Sequence, residues 1–178
     1  MEYDDAGRLW YIIDRNNNRT DYSYTPTSKV ETITYKNSSN QIVATVGFTY
    51  NQHDDLTRMQ DALGNTDYTY YADHSLNTVT DPNGFVVTYN KYDAAGNLEE
   101  LTYPGNKKVI YTYDELNRLK TVKIDWLNQT ATYNYDDAGR LTSLTNFNGT
   151  VTTYGYDNAN RLTALDNAAI LASYSFYS

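Results

Sequence analysis

One motif returns in register along the 178 residues, and a fixed period of this kind constrains the fold before any local propensity is weighed. Each unit opens on an aromatic anchor: Tyr3, Tyr24, Tyr50, Tyr70, Tyr92, Tyr113, Tyr135 and Tyr156, with Phe176 beginning a partial ninth. The anchors are 20 to 26 residues apart, most often 21. Six residues past each tyrosine anchor stands Leu9, Val30, Leu56, Leu76, Leu98, Leu119, Leu141 or Leu162. Nine past it stands Ile12, Ile33, Met59, Val79, Leu101, Val122, Leu144 or Leu165. Both rows are apolar without exception.

A second ring precedes the anchor by two residues, at Tyr22, Phe48, Tyr68, Tyr111, Tyr133 and Tyr154. Residues i and i+2 of a strand share a face, and the residue between the rings is small or polar, so this segment reads as a half-buried strand with an aromatic face. The abundance of Tyr (20 residues) and Thr suits pleated surfaces better than helices. In the fifth unit, Tyr89-Asn90-Lys91-Tyr92 carries an extra residue between the rings, which predicts a β-bulge.

Turn chemistry separates the strands. Four residues past the anchor stand Gly7, Ser28, Asp54, His74, Gly96, Asn117, Gly139 and Asn160, and all but the serine are types that tolerate positive φ. Asp follows the anchor in five units (Asp4, Asp93, Asp114, Asp136, Asp157), where its carboxylate can accept backbone N–H bonds. Asp-x-x-Gly therefore predicts a hairpin built on a type I turn closed by a left-handed residue. A second turn follows the aliphatic strand, as in Asp61-Ala62-Leu63-Gly64 and Asp81-Pro82-Asn83-Gly84. Each unit thus holds two strands and two turns. Positions six and nine differ in parity: either both sheet faces are partly covered, or a bulge brings both aliphatics to the ring face.

The run Tyr133-Asn134-Tyr135-Asp136-Asp137-Ala138-Gly139-Arg140-Leu141, completed by Leu144, resembles the YD repeat of RHS proteins. Similar repeats occur in polymorphic toxins, toxin-complex shells, wall-associated proteins and teneurins. The resemblance spans essentially the whole chain, although Thr25, Asn51 and Tyr71 stand where the repeat has Asp. The expected fold is all-β: antiparallel hairpin repeats, two strands per repeat of about 21 residues, in a single array over 1–178. About sixteen strands exceed what a twisted open sheet carries without curling. The resemblance further implies that the sheet spirals into a hollow shell enclosing a cargo domain. Because the chain opens inside a repeat, it is expected to be part of a longer protein that is secreted or stands at the cell surface. Its partners are then the remaining repeats and the cargo, and unpaired strands at the two ends are expected to associate edge to edge between copies.

Composition narrows the functions. Cys is absent, which excludes disulfides, thiol catalysis and thiolate metal sites. A net charge of -8, with Lys and Arg scattered, disfavours nucleic acid. No stretch approaches the roughly 18 apolar residues of a membrane span. Neither His53 nor His74 has a partner at helical or ligand spacing, and both are expected in exposed turns. The acidic pairs Asp4-Asp5, Asp54-Asp55 and Asp136-Asp137 do not match a calcium loop and are read as turn caps. No catalytic residue, cofactor site or metal site is expected, and the chain is read as a non-enzymatic scaffold. The rival function is carbohydrate binding, for which the aromatics outside the periodic rows, Trp10, Trp126, Phe85 and Phe147, are the candidate stacking residues.

Overall fold

The computed structural model describes residues 1–167 and 174–175; the ninth anchor, Phe176, lies outside them. The strands are β1 (Glu2–Tyr3), β2 (Leu9–Ile13), β3 (Arg19–Tyr24), β4 (Val30–Lys36), β5 (Ile42–Tyr50), β6 (Leu56–Asp61), β7 (Gly64–Tyr70), β8 (Leu76–Thr80) and β9 (Val86–Tyr92). They continue as β10 (Leu98–Tyr103), β11 (Lys107–Tyr113), β12 (Leu119–Ile124), β13 (Gln129–Tyr135), β14 (Leu141–Thr145), β15 (Val151–Tyr156), β16 (Leu162–Asn167) and β17 (Tyr174–Ser175). The only helical turn among the described residues is a 3-10 turn at Asp125–Leu127, closed by Asn128 at φ 49°. By its internal contacts the chain divides within β9 into two units, Met1–Thr88 and Tyr89–Ser178.

In each unit consecutive strands pair antiparallel, a meander of the expected kind. The register resolves the parity of the aliphatic rows. Tyr24 pairs Val30 while Ser23 pairs Thr32, which leaves Glu31 as an extra residue. Tyr113 pairs Leu119 and Thr112 pairs Thr121, which leaves Lys120. The same bulge recurs at Trp10, Thr57, Asn77, Thr142 and Thr163. One extra residue flips strand parity, so position six lies opposite the anchor and position nine opposite the ring two before it, as in Tyr22–Ile33, Tyr68–Val79 and Tyr133–Leu144. Rings and both aliphatic rows therefore share one face.

A further row completes that face. On its other side, position nine pairs a residue four before the next anchor: Thr20, Val46, Thr66, Val109, Ala131 or Thr152. All are small or β-branched, which leaves room for the flanking rings and Leu side chains. Val109, Ala131 and Thr152 of this row, with Leu101, are the buried residues of the described chain. Apart from Tyr3, which is exposed, the remaining described rings and aliphatics of the face are half-buried. The opposite face is polar and held by cross-strand pairs: Ser23–Thr32, Thr69–Thr78 and Thr112–Thr121 hydroxyls at 2.6–2.7 Å, and the Arg19–Asp21–Lys36 ion cluster.

The turns adopt the expected conformation in every unit. All eight position-four residues have positive φ, from 60° at Asn117 to 86° at Gly96, and the unexpected Ser28 joins them at 64°. Gly139 sits at φ 81° with only the Arg118 guanidinium within 4 Å of an added Cβ, so backbone conformation rather than space dictates glycine there. Gly139→Val is expected to destabilise the fold by about 1–3 kcal/mol, the usual cost of holding a β-branched residue in that region. Gly139→Asn, which copies Asn117 and Asn160, should cost far less. Chemical denaturation of the two variants checks this, and equal stabilities would refute it.

Candidate functional site

The side chains of the repeat motif converge on the row of Asp turns. Asp136 Oδ1 accepts the backbone N–H of Arg140 at 2.9 Å, and Oδ2 pairs with the Arg140 guanidinium at 2.7 Å. The loop closes with Gly139 N–H donating to the Asp136 carbonyl at 2.9 Å and Asp136 N–H to the Arg140 carbonyl at 3.0 Å. Asp4 with Arg8, Asp114 with Arg118 and Asp157 with Arg161 repeat the arrangement. In the degenerate third unit the polarity is reversed: Asn51 Oδ1 accepts from Asp55 N–H at 3.0 Å, and the Asn51 amide donates to the Asp55 carboxylate at 2.9 Å.

Between hairpins the backbone ladder stops short of this row. For β12 and β13 it ends at Thr121–Thr132, and for β14 and β15 at Ser143–Thr153. Beyond those pairs the anchor hydroxyl bridges to the preceding repeat: Tyr135 donates to the Leu119 carbonyl at 2.9 Å and Tyr156 to the Leu141 carbonyl at 3.0 Å. Tyr24, Tyr50, Tyr70 and Tyr113 do the same for Leu9, Val30, Leu56 and Leu98 at 2.7–2.9 Å. A carbonyl left by the ladder thus finds its donor in a side chain. Arg8, Arg118 and Arg140 lie over the rings of Tyr24, Tyr135 and Tyr156 at 4.5, 4.6 and 4.9 Å, a cation–π contact between one repeat and the next. The same arginines reach the following turn, as in Arg118 to the Asp136 carbonyl at 3.3 Å and Arg140 to Asn160 Oδ1 at 2.8 Å.

Electrostatics follow this geometry. The Arg8 and Arg140 side chains hold the Asp4 and Asp136 carboxyls below the ordinary value of 3.8, and at Asp157 the backbone N–H and guanidinium of Arg161 do so. At Asp114 burial opposes the shift, and the bonds from Arg118 outweigh it. Burial pushes the hydroxyls of Tyr113 and Tyr135 upward.

The two histidines, expected as isolated turn residues, are exposed but meet across repeats. Their rings stand edge to face at 4.9 Å, and His74 Nδ1 lies 2.8 Å from Asp55 Oδ2, so a histidine replaces the arginine link between the third and fourth turns. Spacing rules for a single helix or strand cannot detect a pair 21 residues apart. Among the described residues no group of three or more His, Cys, Asp or Glu is placed to hold a metal ion.

Of the candidate stacking aromatics, Trp10 and Phe85 lie in the unit Met1–Thr88 and Trp126 and Phe147 in the unit Tyr89–Ser178. Trp10 occupies the β2 bulge with Tyr11 edge-on at 5.2 Å and Arg19 at 5.9 Å. Phe85 ends the turn after β8, where its N–H donates to Asp81 at 2.9 Å. Trp126 stands in the 3-10 turn with the Lys107 ammonium 5.9 Å away, and Phe147 lies in the turn between β14 and β15. Hollows of about 420, 440 and 410 Å³ lie beside the turns that follow the anchors of the third and fourth, the sixth, and the second and third repeats. Sequence reasoning missed the roles of the recurring arginine, the anchor hydroxyl and the small row; periodicity signalled the first and last, since both recur at fixed offsets.

An antiparallel hairpin array whose motif side chains fasten each repeat to the next defines a structural repeat scaffold. The Teneurin YD-shell family profile matches residues 1–125, and the RHS Repeat profile matches 113–151 and 135–169. The chain belongs to the RHS/YD-repeat family. It is 32% identical to Teneurin-3 of Danio rerio over 117 residues, covering 59% of this chain and 4% of that protein. Among solved structures it resembles TcdB2-TccC3 without its hypervariable C-terminal region (TM-score 0.72, 18% identity, 89% of this chain and 9% of that one). TcdB2-TccC3 itself matches with TM-score 0.72 and 19% identity over 89% of this chain and 10% of that one. The chain therefore spans a small part of the relatives it matches.

Tyr135→Phe should cost about 0.5–1.5 kcal/mol, the net value of one hydrogen bond, with the ring contacts kept. Chemical denaturation measures it, and an unchanged midpoint would remove the hydroxyl bridge from the account. Acid should also weaken the row. The folded carboxyls titrate below their unfolded value, so their contribution is present above about pH 4 and is lost as pH falls through the lowered range. The triple variant Asp114→Asn, Asp136→Asn and Asp157→Asn keeps the backbone acceptor but loses the ionised group. Its melting temperature should depend less on pH between about 2 and 5 than that of the parent chain.

Proposed function

We propose that the chain is one continuous array of YD repeats acting as a non-catalytic scaffold, a wall segment of a shell that encloses another part of the same protein. The parent is secreted or stands at the cell surface. The observation that carries this reading is the use of the motif side chains: Asp, Arg and anchor Tyr are spent on turn-to-turn and repeat-to-repeat bonds. A carboxylate held ionised by an adjacent guanidinium is poorly suited to proton transfer near neutral pH. The shell reading draws support from the YD-shell family match and from the likeness in fold to TcdB2-TccC3. Among the described residues no helix is long and apolar enough to cross a membrane.

The rival reading, glycan binding, rests on the exposed rings of Trp10, Trp126, Phe85 and Phe147. The shell reading is tested by limited proteolysis of the longer protein. A segment enclosed by the repeats should survive protease concentrations that digest it when it is expressed alone. Equal digestion rates would overturn enclosure and leave a spacer between domains.

A further inference from the structure

The interval from Tyr24 to Tyr50 is 26 residues, the longest in the chain, and the added length lies in the β4–β5 hairpin. β5 is the longest strand, with nine residues. On one side its first six residues pair with β4, from Thr32–Gly47 to Lys36–Ile42, with Val43 as a bulge. On the other side the ladder to β6 runs only from Tyr50–Leu56 to Gly47–Gln60. β6 then ends at Asp61, which turns through Ala62 and Leu63 to pair Gly64. Ile42–Val46 therefore presents a half-strand with no ladder partner on its β6 side. Its side chains are open as well: Ile42 is 65% exposed, Val43 63%, and Leu63 at the neighbouring hairpin tip 84%.

Natural sheets protect such edges with charged residues, proline or a covering element. Here that protection is missing. In a chain of which 20% is charged, no Asp, Glu, Lys or Arg lies between Lys36 and Asp54. The first strand of the same unit, β1, carries Glu2 and is followed by Asp4. Neutrality bears on the choice of partner. Two copies of a chain with net charge -8 repel each other over most of their surfaces, and they approach at least cost where both are uncharged. An antiparallel edge also pairs with itself about a twofold axis, each residue facing an equivalent stretch of its mate, so an apolar, partly β-branched segment without charge is complementary to itself.

We propose that Ile42–Val46 is a self-pairing edge that joins two copies of this chain by antiparallel strand addition, with Ile42, Val43 and Leu63 supplying apolar contact. An interface built on so short a strand is small, so the dimer forms at high protein concentration. Sedimentation velocity over a concentration series tests it. The weight-average mass should rise from the 20.4 kDa of one chain toward twice that value, and amides of Ile42–Val46 should exchange more slowly as the dimer fills. The double variant Val43→Lys and Thr45→Lys places like charges opposite each other and should raise the dimer dissociation constant by about tenfold or more. Both side chains are exposed, so its melting should match the parent chain. Thr130→Lys, an exposed substitution on β13, should leave association intact. A strict monomer at every concentration overturns the proposal and leaves this edge to an extended segment of another chain. A dimer that persists in the double variant also overturns it, by locating association elsewhere.

Discussion

The fold depends on how a gap in the backbone ladder is closed. Pairing between consecutive hairpins ends before the Asp turns, and the anchor tyrosine spans the opening with a hydroxyl bond to the carbonyl at position six. That carbonyl belongs to the residue that precedes the bulge, so one contact holds both the junction between repeats and the point where strand parity changes. The ring is also the surface on which the preceding arginine lies, and that arginine is oriented by its own Asp turn. Where Asp and Arg are both present, as in Asp114–Arg118–Tyr135 and Asp136–Arg140–Tyr156, backbone, ring, guanidinium and carboxylate form a chain of dependence from one repeat to the next. No large side chain among the described residues is completely buried, so stability is shared among neighbours instead of concentrated in a closed core.

The degenerate units show which parts of the motif matter. Thr25, Asn51 and Tyr71 replace Asp, yet each loop keeps its backbone bonds, with N–H of the fourth residue donating to the carbonyl of the first. Side-chain chemistry is exchanged within that frame. Thr27 reaches Asp54 at 2.7 Å, and His74 reaches Asp55, so the contact between adjacent turns survives with different residues. Such tolerance suits a scaffold, in which a link has to exist but no particular reactive group has to be placed.

The two faces of the sheet offer different chemistry. One carries tyrosine rings, leucines and a row of small residues; the other carries threonine ladders and ion pairs. In a shell wall, a half-covered aromatic face provides apolar surface for whatever lies against it, while the polar face needs no partner.

Much of this was legible in the residues. Periodicity identified the strands, the aromatic face and seven of the eight left-handed turn positions by residue type, with Ser28 the exception, because a local loop of fixed length leaves few backbone conformations and its residues reveal which one is used. The family followed from the same repeat. The facing of the aliphatic rows was not legible, since a single inserted residue reverses parity and only the pairing register shows that Glu31, Lys120 and their equivalents are the inserted ones. Nor were the Arg118–Tyr135 stack, the His53–His74 pair or the open half of β5, because each depends on what an adjacent strand or turn, about twenty residues away in sequence, brings alongside. Local sequence determined the units and their turns; register between strands, a property of the assembled sheet, decided which side chains meet.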